Sequence, residues 1–433
     1  MAKSSRTIKK VGVLGASGNM GSLSGGIFAQ ADIECVFFAR SLDKATAGLE
    51  AAVGQARSDV LRKYIKAASY DDLEKEIPSC DWIFEGLAED MAIKNEFFAK
   101  IEKLKKPDAI VSTVSSGLSI RKMGEGRSEN FRKNFMGTHF YNPPGKLPAN
   151  ELIFHPDVPS DTREFVYDFC EKVLRRVNII TEDTAAFAGN RIGFQFLNEA
   201  AIYAEKYGVD KMDYLLGPYT GRALAPLATI DLVGLDVHKA IVDNVVANVK
   251  DERIDTYKMP AYMQKMIDQG MLGRKAKGKG GYFNRDAEKN KTTLNIADLS
   301  FSPTKKEKID WVQKTKAAIQ DGWYADAIKM IKTAPGEEGE IVRHFILGYV
   351  AYSFARIGEV TPEADGIHGI DRVMSSGFSW LPASGWVDLF GGVKETCALI
   401  EKAKLPVPAQ LKNLKDKGRI CRVADVSKFL AGR

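Results

Sequence analysis

The run Gly15-Ala-Ser-Gly-Asn-Met-Gly21 follows the apolar segment Val11–Leu14 directly and opens a helix-forming stretch. Glycines at such a junction let the backbone turn tightly, approach a phosphate closely and pack helix on strand. The helix N-terminus meanwhile offers unpaired N–H groups to an anion. A strand that empties into this turn commits the chain to an α/β architecture, and the following residues keep the alternation. Glu34–Ala39 reads as a strand, Asp43–Ala67 as one long helix, Trp82–Glu85 as a strand, Ala92–Leu104 as a helix and Ala109–Thr113 as a strand. Strands alternating with helices imply a parallel, doubly wound sheet of Rossmann type, with ligands at the carboxyl ends of its strands. In that context the glycine turn predicts dinucleotide binding.

Composition narrows the class. At 433 residues the chain has length for two or three domains, and 45% hydrophobic with 27% charged residues is an ordinary globular balance. The net charge of +6 comes partly from clusters such as Lys275–Lys279, Lys305-Lys306 and Lys412–Arg422. It suits a small anionic ligand and lacks the basic bias of a nucleic-acid binder. The cysteines (35, 80, 170, 397 and 421) are scattered without metal-ligand spacing, which points to a reducing compartment and to no metal site. Residues 1–10 are polar and basic, and no run reaches the length of a membrane span, so a cytoplasmic protein is expected.

From Ala185 the character becomes helical, with Asn190–Tyr207, Met212–Leu216 and Gly234–Val249 as helices and Asn284–Lys308 as a polar connection. The C-terminal part repeats the pattern. Gly221-Arg-Ala-Leu-Ala-Pro226 with Asp231-Leu-Val-Gly234 is echoed by Gly377-Phe-Ser-Trp-Leu-Pro382 with Asp388-Leu-Phe-Gly391. Asn190-Arg191-Ile-Gly-Phe is matched by Val342-Arg343-His-Phe-Ile, so any chemistry of that amide belongs to the first copy. The expected organisation is a nucleotide-binding domain over 1–184, followed by duplicated all-α domains over 185–300 and 301–433.

One pair of residues carries acid–base chemistry. The segment Asn134–Phe140 reads as a strand emptying into Pro143-Pro144-Gly145, which puts His139 at the mouth of the sheet. Glu151 opens the next apolar run, Leu152–Phe154. An imidazole takes and returns a proton near neutral pH, and a carboxylate behind it orients the ring and stabilises its charged form. The alternative reading is a structural histidine at a strand end.

These motifs, in this order, resemble the L-3-hydroxyacyl-CoA dehydrogenase family in the form with a duplicated helical domain. The resemblance rests on Gly15–Gly21, Asp81–Glu89 with Lys94, Val111–Ser116, Gly137–Pro143, Glu151, Ala188–Arg191, Asp231–Asp236 and Gly273–Tyr282. It implies oxidation of a (3S)-3-hydroxyacyl-CoA to the 3-oxoacyl-CoA by hydride transfer to a nicotinamide, as in fatty-acid oxidation, with an acyl-CoA as the partner molecule. Matched residue by residue, His139 is the base, Glu151 its carboxylate, and Asn190 and Ser115 the substrate contacts. Gly15, Gly18, Gly21, Glu89, Lys94, Asn142 and Lys275 fall on the cofactor side. Bland alternatives stand beside these: Glu89 and Lys94 as a solvated helix-start pair, Asn142 as a turn residue, Ser115 as a helix cap. Single-copy relatives dimerise through the helical domain, so a homodimer or a monomer with internally paired copies is expected. A dehydrogenase of free 3-hydroxy acids and an inactive binding homologue are the competing functions.

Three departures from the family pattern stand out. The turn is Gly-x-x-Gly-x-x-Gly, one residue longer than usual, and Ser22–Gly26 is rich in glycine and serine. Gly117 is inserted after Val-Ser-Ser, which leaves Ser116 competing with Ser115 for the substrate-facing position. Finally, Phe38-Ala39-Arg40 ends the second strand where an acid would hold the adenosine ribose. An acid there favours NAD, whereas Arg40 can accommodate a 2′-phosphate, so NADP stands beside the family's NAD.

Overall fold

A computed structural model describes residues 6–431 as two compact units that part between Phe187 and Ala188. The first unit runs β1 (Lys10–Leu14), α1 (Asn19–Ala29), β2 (Glu34–Ala39), α2 (Leu42–Ala56), β3 (Ile65–Ser69), α3 (Leu73–Glu76), β4 (Trp82–Glu85) and α4 (Met91–Leu104). It continues with β5 (Ile110–Thr113), α5 (Ile120–Gly124), α6 (Glu129–Arg132), β6 (Phe135–Phe140), β7 (Ala149–Phe154), α7 (Ser160–Lys172) and β8 (Val177–Ile180). The strands form one sheet in the order β3-β2-β1-β4-β5-β6-β7-β8. The chain reverses direction across the sheet between β1 and β4, and that switch point opens the crevice where dinucleotides bind.

The sheet is buried on both faces. Phe28, Phe37, Trp82, Phe84 and Met136 fill one side; Phe38, Ile83, Phe98, Val111 and Phe135 fill the other. This is why its inner strands read as continuous apolar runs. Two expectations fail here. The stretch Asp43–Ala67 is not one helix: α2 ends at Ala56, Arg57 takes φ 51°, and residues 65–69 pair parallel with β2. The alanines of Ile65-Lys-Ala-Ala-Ser read as helix locally, and the open edge of β2 overrides them. Nor is the sheet parallel throughout. β7 runs antiparallel to β6, and β8 parallel to β7.

The second unit runs α8 (Gly189–Tyr207), α9 (Val209–Leu215), α10 (Pro226–Val233), α11 (Leu235–Asn248), α12 (Ala261–Asp268), β9 (Phe283–Arg285), β10 (Lys291–Leu294) and β11 (Phe301–Pro303). Then follow α13 (Asp310–Gln320), α14 (Tyr324–Thr333), α15 (Gly336–Ala355), α16 (Ile367–Gly377), α17 (Ala383–Leu389), α18 (Val393–Lys402) and α19 (Ala409–Lys412). The unit is not purely helical. The stretch read as a polar connection, Asn284–Lys308, contributes to a three-stranded antiparallel sheet, β11-β10-β9. Its polar strands hid the signal, because so small a sheet buries one strand at most and needs little apolar alternation.

The two halves of this unit meet where Arg222 bridges to Trp380 and the Leu381 N–H donates to the Gly221 carbonyl at 2.8 Å. The buried Arg222 guanidinium lies 3.8 Å from the centre of the Phe196 ring and 4.8 Å from that of Trp380. Burial in this aromatic surround pushes its pKa down to about 9.

Candidate active site

The glycine turn is held by close approach of backbones at the switch point. A Cβ on Gly15 would come within 2.3 Å of the Gly86 carbonyl after β4, and one on Gly21 within 2.3 Å of the Gly15 carbonyl. Gly15 also takes φ 75°. The extra residue of the turn is absorbed before α1: the Gly18 N–H donates to the Gly15 carbonyl, and Gly18 becomes the N-cap without a side-chain acceptor. At Gly18 a Cβ would meet nothing closer than 3.4 Å, so packing does not demand glycine there. A side chain would instead occupy the cradle before the first turn of α1, which carries no acidic residue. These features fit a pyrophosphate. The run Ser22–Gly26 has a packing cause, since a Cβ on Gly25 would strike the Phe37 ring at 2.6 Å.

Arg40 follows the last residue of β2 and precedes Ser41, the N-cap of α2. It is exposed at the carboxyl edge of the sheet, as its place in the sequence implied.

His139 and Glu151 come together through the reversal of β7. His139 is the penultimate residue of β6, at the carboxyl end of the sheet. Glu151 is the third residue of β7 rather than the start of a run, and the antiparallel register makes the two direct partners. Their side chains meet at 2.6 Å, His139 Nδ1 to Glu151 Oε2, with Glu151 fully buried and His139 5% exposed. The Tyr141 hydroxyl donates to the same Oε2 at 2.8 Å, and its ring centre lies 4.9 Å from that of His139. Phe187 closes another side at 5.7 Å, placed by φ values of 64° at Ala186 and 52° at Phe187. A carboxylate facing Nδ1 fixes the proton there, so Nε2 presents a lone pair.

A second cluster lies at the ends of β4 and β5. Glu89, 44% exposed, accepts from the Ser115 hydroxyl at 2.6 Å and from the Ser116 and Gly117 N–H groups at 2.8 and 3.2 Å. Ser115 is buried and its Oγ also receives the Leu118 N–H at 3.2 Å, but the N-cap of α5 is Ser119, whose side chain accepts the Lys122 N–H, so Ser115 does not cap that helix. Lys94 is wholly buried, 2.8 and 2.9 Å from the two oxygens of Glu85 and 3.6 Å from Glu89. The solvated helix-start pair is therefore not what forms. Glu85 was overlooked in the sequence, although a carboxylate closing the apolar strand Trp-Ile-Phe-Glu was the available signal. Tyr141 was overlooked as well, although residues two apart in extended chain share a side.

Asn142, exposed, precedes the cis bond to Pro143. Asn190, 7% exposed, occupies the first turn of α8 in the helical unit. In the same unit Lys275 pairs with Asp236 at 2.5 Å, lying over Gly234.

The family model for the NAD-binding domain of 3-hydroxyacyl-CoA dehydrogenase matches residues 10–184, and that for its C-terminal domain matches residues 187–283. A probable 3-hydroxyacyl-CoA dehydrogenase of Deinococcus radiodurans is 33% identical over 301 residues, covering 65% of this chain and 84% of the relative. One of Bacillus subtilis is 31% identical over 360 residues, covering 82% of this chain, which spans 44% of that relative's length. The crystal structure of 3-hydroxybutyryl-CoA dehydrogenase from Escherichia coli shares the fold over 98% of both chains, with a TM-score of 0.67 at 15% identity. No helix among the described residues is long and apolar enough to cross a membrane. The chain belongs to the 3-hydroxyacyl-CoA dehydrogenase family.

Proposed function

We propose that this protein interconverts (3S)-3-hydroxyacyl-CoA and 3-oxoacyl-CoA, with His139 as the general base. The observation that carries the reading is the buried contact of His139 Nδ1 with Glu151 at 2.6 Å. A bound nicotinamide dinucleotide supplies the hydride acceptor. In the oxidative direction His139 Nε2 takes the proton of the 3-hydroxyl, and Glu151 stabilises the imidazolium that forms. In the reductive direction the same nitrogen returns the proton. Ser115 and Asn190 are the proposed substrate contacts. Glu89, Asn142 and Lys275 are assigned to the cofactor side, with Lys94 supporting Glu89 from its buried pair with Glu85. Residues 185–300 and 301–433 are proposed as two copies of one helical unit, paired within a monomeric chain.

His139→Gln should leave dinucleotide binding within about twofold and reduce kcat on acetoacetyl-CoA by about a thousandfold, the middle of the range of acid–base contributions. Normal turnover in that variant would remove the assignment.

The matched N-terminal domain is an NAD-binding one. The Arg40 guanidinium adds a fork suited to a 2′-phosphate at the adenosine end, so NADPH should bind as well as NADH. Arg40→Ala should weaken NADPH about tenfold and NADH less than threefold, read by cofactor fluorescence. Equal losses would show that Arg40 does not reach the phosphate.

A further inference from the structure

We infer that Tyr141 is a positioning residue of the proton-transfer pair, acting through Glu151. The assignment rests on the proposed role of His139 as the base and adds Tyr141 to the pair. Glu151 Oε2 receives two side-chain donors, His139 Nδ1 at 2.6 Å and the Tyr141 hydroxyl at 2.8 Å. Among the described residues, the titratable groups in contact with the imidazole are Glu151 from β7 and Tyr141 from the turn after β6, while Phe187 contributes an uncharged ring.

Two consequences follow from this geometry. A carboxylate oxygen shared between two donors cannot rotate away from one without losing the other, so the plane of the imidazole is set even as its charge changes. The phenol also withdraws charge from the oxygen that faces Nδ1. Without that hydrogen bond the buried carboxylate would hold an imidazolium more tightly, leaving His139 protonated to higher pH with less of the neutral form to accept the hydroxyl proton. Burial, with the Glu151 charge second, pushes the Tyr141 phenol well above its usual range, so it remains a donor throughout the working range. Phenylalanine at this position would keep the ring contact and lose only the donor.

The test is Tyr141→Phe, read first in the cofactor-free protein. The chain has five histidines, so His139 is identified in labelled-histidine NMR by the resonance lost in His139→Gln. Its titration midpoint should move up by about half to one pH unit in Tyr141→Phe, the size expected for one hydrogen bond to a charged group. In a Glu151→Gln background the same substitution should move it by less than about a quarter of that, since the coupling runs through the carboxylate. In oxidation of 3-hydroxybutyryl-CoA, which needs neutral His139, the acid limb of kcat/KM should follow, with kcat near neutral pH down about three- to tenfold and the NADH dissociation constant within twofold. An unmoved midpoint, or an equal shift in both backgrounds, overturns the role of Tyr141. A shifted midpoint without turnover in the wild type overturns the proposed activity and leaves the coupling standing.

Discussion

The two halves of the helical unit keep the same packing devices and differ at the position of Asn190, the proposed substrate contact. In the first half Asp213 accepts the Leu227 and Ala228 N–H groups at the start of α10, at 2.8 and 3.0 Å. In the second half Asp371 accepts the Ser384 N–H at the start of α17, at 3.2 Å. Asp231 then accepts the Tyr282 and Phe283 N–H groups, as Asp388 accepts those of Ile420 and Cys421. Even the exits agree: Gly234 after α10 and Gly391 after α17 both take φ 102°. A buried carboxylate that satisfies unpaired backbone donors is costly to lose, because each stranded N–H keeps its desolvation cost. Asn190 stands in the first turn of α8, whereas its counterpart Val342 lies inside α15, which starts earlier at Gly336.

The largest difference expected between the halves tests that contrast. Asn190→Val gives the first half the residue of the second, and kcat/KM on acetoacetyl-CoA should fall about a hundredfold, the scale of losing one polar group at the reacting centre. The reciprocal Val342→Asn should leave kcat within twofold. It should instead lower stability by about 1–3 kcal/mol, since Val342 is fully buried and an amide there gains no assured partner. Stopped assays and denaturant melts on both variants separate the outcomes. A comparable activity loss in Val342→Asn would mean that the halves do not divide scaffold from chemistry as described.

How much of this was legible in the sequence follows the same division. The glycine turn, the strands at β2 and β4 and the His139–Glu151 pair were readable, because each is a local pattern with a physical cause. β3 was not, because its alanines favour helix until a neighbouring strand offers hydrogen bonds. The reversal of β7, which makes His139 and Glu151 direct partners, is a tertiary fact with no local signature. Lys94 shows the opposite limit. Its spacing from Glu89 was visible, yet its closer partner is Glu85, reached only when α4 packs beside β4.

The smallest expected difference between the halves concerns pH. Burial pushes Asp213 and Asp371 up to about 7 from an ordinary 3.8, against the opposing pull of their N–H donors. Between those values the folded chain binds a proton that the unfolded chain has released, so stability falls as pH rises from about 4 to about 7 and levels above. The melting temperature of the whole protein contains other groups, so the comparison is between each variant and the wild type. Asp371→Asn and Asp213→Asn should each flatten the decline across that window in calorimetry. Asp371→Asn should flatten it more, because Asp371 is 5% exposed while Asp213 is only half-buried and solvent moderates its shift. An unchanged slope in both would mean that the paired N–H groups hold the carboxylates ionised throughout, and that the two halves share a charged clip rather than a titrating one.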